Sequence, residues 1–140
     1  MTITVRRMRA GDEALFQSIA PEVFDEPINP ERLAAYLSEP GHIMVLAFEG
    51  DLVVGQCTGV IHRHPDKPTE LYVDEVGTAS THRRQGIARL MMDELFAWGR
   101  ELGCVEAWLG TDLENDPANA LYRSLSPSED DAIRYYLFDL

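Results

Sequence analysis

The chain has 140 residues, 45% of them hydrophobic and 26% charged, the make-up of one folded domain with room for a single core. Twelve Lys and Arg against 24 Asp and Glu leave a net charge of −12, which disfavours nucleic acid and anionic membranes and permits a cationic partner. No apolar run reaches the roughly 20 residues of a bilayer span, and the arginines at 6, 7 and 9 leave no apolar stretch for a signal peptide, so a cytoplasmic chain is expected.

Ile3-Thr4-Val5-Arg6-Arg7-Met8 alternates as a strand does, and Gly11-Asp12 opens an amphipathic stretch with Ala14, Leu15, Ile19 and Val23 on one side, which predicts a helix. Pro27 and Pro30 interrupt it. Asn29-Pro30-Glu31 starts a second short helix with Leu33, Ala34 and Leu37 inward, ending at Pro40-Gly41. Residues 42–48 and 52–61 form two strands around the turn Glu49-Gly50-Asp51. After a loop from His62 to Lys67, residues 70–78 read as another strand, followed by a polar bend at Ala79 to His82.

From Gln85, the apolar residues Ile87, Leu90, Met91, Leu95, Trp98 and Leu102 recur at steps of three and four, a strong amphipathic helix that Gly103 terminates. Residues 104–109 follow as a strand, Asp116-Pro117 opens a last helix over 118–125, and residues 132–138 close as a strand. The two cysteines, Cys57 and Cys104, sit in apolar strand-like runs and read as reduced core thiols. No Cys/His pairing has metal-ligand spacing, and His62-Arg63-His64 falls in a proline-rich turn, so no metal is expected.

The junction at His82-Arg83-Arg84-Gln85-Gly86-Ile87-Ala88 carries the chemistry. A helix start offers backbone N–H groups without intrahelical partners and the positive end of the helix dipole. Gly86 and Ala88 let a phosphate approach the backbone, and Arg83 and Arg84 add charge. Neither a P-loop nor a dinucleotide-binding glycine motif is present. Taken with the preceding Val76-Gly77-Thr78, the segment resembles motif A of the GNAT N-acetyltransferase superfamily, and Asn115 to Tyr122 is similar to the family's Asn-x-x-Ala-x-x-Leu-Tyr.

The resemblance implies an α/β fold of GNAT type, a mixed and mainly antiparallel sheet of six to seven strands flanked by about four helices, in one domain over 1–140. It implies acetyl-coenzyme A as cofactor, with N–H groups of Arg84, Gln85, Gly86, Ile87 and Ala88 on the pyrophosphate and Val76, Gly77 and Thr78 along the pantetheine arm. The Val76 N–H would polarise the thioester carbonyl. Asn115 would hydrogen-bond the cofactor, and Tyr122 would face the sulfur and protonate the leaving thiolate.

Amine acetylation also needs a base, and Glu75 is favoured, directly or through water. Neighbouring side chains of a strand point to opposite faces, so of Asp74 and Glu75 only one should enter the cleft. The spacing from Glu75 to His82-Arg83-Arg84-Gln85-Gly86-Ile87-Ala88 and the terminal Phe138-Asp139 are similar to aminoglycoside 3-N-acetyltransferases. That resemblance implies a cationic aminoglycoside ringed by Asp25, Glu26, Asp74, Asp112, Glu114, Asp116 and Asp139. The sequence departs from the pattern at Leu125-Ser126-Pro127-Ser128 and in carrying Glu75 where that subfamily has Asp. Polyamine, other small-amine or protein N-terminal acetylation remain alternatives, as does a non-catalytic acyl-CoA sensor. The aromatic run Tyr135-Tyr136-Phe138 suggests a strand that pairs across a homodimer.

Overall fold

The structure, a computed structural model, describes residues 2–140. These fall into two compact units, a larger one ending at Leu109 and a smaller one, Gly110–Leu140.

The larger unit is one sheet with helices. Strands β1 (Ile3–Arg7), β2 (His42–Glu49), β3 (Leu52–His62), β4 (Glu70–Thr78) and β5 (Glu106–Trp108) lie side by side in sequence order. The first four pair antiparallel and β5 joins β4 in parallel, after the crossover helix α2 (Ile87–Glu101). A parallel neighbour requires such a crossover, and the strand-helix-strand order had predicted it.

Helix α2 supplies most of the apolar cover. Its period-3.6 stripe buries Ile87, Met91, Met92, Leu95 and Trp98, each contributing about 1.5–3 kcal/mol of transfer free energy where fully buried. Leu90 and Leu102, expected in the same stripe, are exposed. Arg7 ties β1 to α2: its guanidinium binds Glu94 at 2.6 Å and Glu101, and it lies 5.3 Å over the Trp98 ring. The ion pair with Glu101 is the leading cause that raises the Arg7 pKa, and Arg7 in turn lowers that of Glu101.

Helix α1 (Pro30–Ser38) starts where expected, with Asn29 accepting from the Arg32 N–H and Pro30 in the first turn. Leu33 is buried, but Ala34 is exposed, and Tyr36 rather than Ala34 turns inward. Cys57 is buried, which pushes its thiol up to about 12, so it is an inert core group; Cys104 is also a free thiol.

The described residues hold five strands and three α-helices, fewer than the six to seven and about four expected. The stretch 11–23 forms only a 3-10 turn at Glu13–Phe16. Its backbone is drawn to β3 instead: Val53 donates to Ser18 at 2.8 Å, Ala20 donates to Val53 at 2.9 Å, and Ile19 bridges Val53. Pro21, with no N–H, then bars helix continuation.

The smaller unit contains α3 (Asp116–Ser124), which starts two residues earlier than expected, and no strand. Residues 132–138 are therefore not a strand, and Ile133, Tyr135, Tyr136, Leu137 and Phe138 are exposed. A strand exists only by pairing, and nothing else in this unit is extended and paired. Among the described residues no helix is long and apolar enough to cross a membrane.

Candidate active site

The backbone between β4 and α2 turns through residues 83–86 before the helix begins. Arg84 (φ 65°) and Gly86 (φ 77°) both adopt left-handed conformations, and such turns point successive N–H groups inward as an anion nest. Gly86 is the N-cap of α2, and no side chain caps that helix, which leaves its first N–H groups to a ligand. Arg83, Arg84, Gln85 and Gly86 are exposed, Ile87 is buried as the first core residue of α2, and Ala88 is partly covered.

Contacts that the sequence did not reveal hold this loop. His82 Nε2 lies 3.2 Å from Glu49 Oε2 at the end of β2, and its Nδ1 lies 2.7 Å from the Thr81 hydroxyl. Arg83 pairs at 3.0 Å with Glu22. Ala79 N–H donates to Val54 at 2.9 Å, fixing the exit of β4.

Strand β4 is the second part of the cradle. Its pairing with β5 covers only Glu70–Tyr72 against Glu106–Trp108, while β4 itself runs on to Thr78. Beyond Tyr72, one edge of β4, through Val76, Gly77 and Thr78, therefore has no ladder partner in β5. Such an edge can pair with an extended chain carrying amides. A side chain at Gly77 would bring its Cβ to 2.3 Å from the Val23 carbonyl, so only glycine fits. Gln56 reinforces this close approach by donating to the same carbonyl at 3.3 Å.

The register of β3 and β4 slips between Thr58 and Gly59, which face Glu75 and Val73 and leave Asp74 as the extra residue of a β-bulge. The strict alternation expected for Asp74 and Glu75 is thereby lost, and both side chains are open to solvent. The Thr58 hydroxyl accepts from the Glu75 N–H at 3.1 Å, which locks the bulge.

Glu75 lines an open cavity of about 710 Å³ with Phe24, Asp25, Glu26, Tyr36 and Met44. Three of its lining residues are acids and one, Arg32, is basic, so the cavity is net negative. Partial burial raises the Glu75 pKa above the ordinary carboxylate value, and the charges of Asp74 and Asp25 push it further in the same direction. Tyr36 donates to the Ile43 carbonyl at 2.8 Å, and burial, then Asp74, raises its pKa, so it stays a neutral phenol in the wall.

The remaining predicted residues lie in the smaller unit. Asn115 caps α3, its Oδ1 accepting from the Ala118 N–H at 3.2 Å, and Tyr122 is half-buried on that helix. Asn119, which the sequence did not single out, donates to the carbonyls of Asp112 at 3.0 Å and Asn115 at 2.8 Å and so closes the loop before α3. Asp112, Glu114, Asp116 and Asp139 are exposed.

Residues 13–126 match the acetyltransferase (GNAT) family. The chain belongs to this family. It is 31% identical over 84 residues to the L-2,4-diaminobutyric acid acetyltransferase of Oceanobacillus iheyensis, a match over 60% of this chain and 45% of that relative. Among solved structures it is similar to an aminoglycoside acetyltransferase from an uncultured soil metagenomic sample in complex with sisomicin. The TM-score is 0.83 at 19% identity, over 99% of this chain and 96% of that one. It is also similar to the aminoglycoside acetyltransferase AAC(6')-Iy in complex with a bisubstrate analogue, with TM-score 0.81 at 16% identity over the whole of both chains. A third is the ribosomal-protein-alanine N-acetyltransferase of Brucella melitensis biovar Abortus 2308, with TM-score 0.74 at 17% identity over 99% of this chain and 100% of that one. At these identities the likeness is one of fold.

Proposed function

We propose that this chain moves an acetyl group from acetyl-CoA to a primary amine of a small polycationic acceptor of aminoglycoside type, with Glu75 as the base. The observation that carries this reading is the position of Glu75: it sits in the wall of a net-negative cavity, next to the free edge of β4. Acetyl-CoA when bound supplies the activated thioester carbonyl.

Each element of the cradle has a task. N–H groups of Arg84 to Ala88 receive the pyrophosphate, aided by the charges of Arg83 and Arg84, and the β4 edge at Val76, Gly77 and Thr78 takes the amide-bearing arm. The Val76 N–H is the donor toward the carbonyl oxygen. Glu75 removes the ammonium proton, directly or through one water, and a raised pKa makes its carboxylate a stronger base near neutral pH. Asp25 and Glu26 orient further ammonium groups of the acceptor. Asp74, Asp112, Glu114, Asp116 and Asp139 are assigned to the same task from the sequence resemblance, as Asn115 is to the cofactor and Tyr122 to the leaving thiolate.

The 3-amino group is the position indicated by the subfamily resemblance. A structural neighbour of the same fold bears a 6' designation, and the curated relative is named for a diamino acid. All three readings place one amine at the base and a second cation nearby, which suits Asp25 and Glu26.

The test is a panel of aminoglycosides, polyamines, diamino acids and N-terminal peptides, with free thiol detected and the product mapped by NMR. Acetylation of an aminoglycoside amine, slowed about 100-fold or more in Glu75→Gln, is expected, in line with the 10²–10⁴ typical of general bases. Tight CoA binding with no thiol release from any amine would favour a sensor instead.

A further inference from the structure

The strand pairing assembles a cluster that the linear spacing conceals. His62 ends β3 and stands opposite Glu70 at the start of β4, and Glu70 in turn stands opposite Glu106 at the start of β5. The loop between β3 and β4 carries His64 back onto the same carboxylate. His64 Nε2 lies 2.7 Å from Glu70 Oε1 and His62 Nδ1 lies 3.8 Å from that same oxygen. One donor atom from each of the three residues falls within 4.8 Å of the other two. Glu106 stands beside this carboxylate across the β4–β5 pairing.

We propose that His62, His64 and Glu70 bind a divalent transition-metal ion of the zinc class, with Glu106 as fourth ligand or as the group that orients Glu70. Two imidazoles and one carboxylate are the donor set that borderline ions prefer over the all-oxygen sets of magnesium and calcium. The geometry is close to what the ion requires. Bonds of roughly 2.0–2.2 Å at tetrahedral angles put neighbouring ligand atoms about 3.4 Å apart; the two distances to Glu70 Oε1, 2.7 and 3.8 Å, straddle that value, and all three donor atoms lie within 4.8 Å of one another.

Exposure is graded as an entry path demands. The side chains of His64 and Glu70 are 13% and 19% exposed and are held in place, while His62, at 49%, faces solvent. The His62 and His64 rings are tilted at 42° with centroids 4.2 Å apart, so they lean together rather than diverge.

The location gives such an ion a structural task. Glu70 lies five residues before Glu75, roughly 17 Å along an extended strand, so the site is remote from the proposed base. Glu70 and Glu106 belong to the short stretch where β5 still pairs with β4. An ion there would staple the β3–β4 loop to the start of that stretch, at the end away from where the two strands part beyond Tyr72.

The purified, tag-free chain, dialysed against EDTA, is titrated with zinc by calorimetry, and bound metal is counted by mass spectrometry. One ion per chain is expected, with magnesium and calcium unable to compete at millimolar concentration. Cobalt(II) should give d–d absorption of a low-coordinate N/O site. His64→Ala and Glu70→Gln should each weaken zinc binding at least tenfold and abolish the cobalt spectrum. His62→Ala, altering a surface side chain, provides the variant whose folding is least at risk. Absence of stoichiometric zinc, displacement by millimolar magnesium, or affinity unchanged in folded His62→Ala and His64→Ala would each overturn the proposal.

Discussion

At the residue scale, Glu75 is defined by its surroundings more than by its own chemistry. Partial burial and the negative charges of Asp74 and Asp25 all favour its protonated form. The proposed base must be deprotonated to act, so on that reading activity falls as pH falls through its pKa, at a higher pH than for a carboxylate of ordinary pKa. Asp25→Asn removes one of the charges and should move the acid limb of kcat/KM to lower pH while raising KM for a polycationic amine. A pH profile of wild type and variant measures both. Gly77 is defined just as strictly, because a Cβ there would meet backbone at 2.3 Å. Gly77→Ala should cost about 1–3 kcal/mol, the range for overpacking, seen as a lower midpoint in urea.

At the scale of elements, periodicity made β1 to β4 and α2 legible almost in full, because each has an apolar face and clear breakers at both ends. What escaped was set by partners distant in the chain. Residues 11–23 have helical spacing, but the free backbone groups of β3 at Val53 compete for Ser18 and Ala20, and Pro21 settles the contest. The β-bulge at Asp74 depends on Thr58, which binds Glu75 from seventeen residues away in sequence, and no pattern in β4 announces it.

The same competition between ligand and fold can be tested at the two helix starts. Gly86→Ala meets no neighbour within 4 Å, yet forces an alanine to φ 77°, which costs about 1–2 kcal/mol. It should therefore weaken CoA binding through the nest without a packing defect, as calorimetry would reveal. Asn115→Ala removes the α3 cap and should cost about 1 kcal/mol of helix stability, read by amide exchange across α3.

At the scale of the whole molecule, the net charge of −12 is informative only beside the acidic cavity. Exposed charges are screened over about 10 Å at 0.1 M salt. Raising ionic strength should therefore increase KM for a polycationic amine several-fold and leave that of a monoamine much less affected. The residues of His82 to Ala88 alone pointed only to a phosphate at a helix start, and the cofactor class came from the resemblance they carry together with Val76-Gly77-Thr78 and Asn115 to Tyr122. The cavity wall did not declare itself, because Phe24, Tyr36 and Met44 come from three separate segments joined only by folding.

The most direct test of acetyl transfer at Glu75 is thiol release from acetyl-CoA with an aminoglycoside acceptor, followed side by side for wild type and Glu75→Gln with CoA affinity measured on the same samples. The predicted result is turnover in wild type, a loss of about 100-fold or more in the variant, and unchanged CoA affinity. Equal turnover in the two proteins would contradict it.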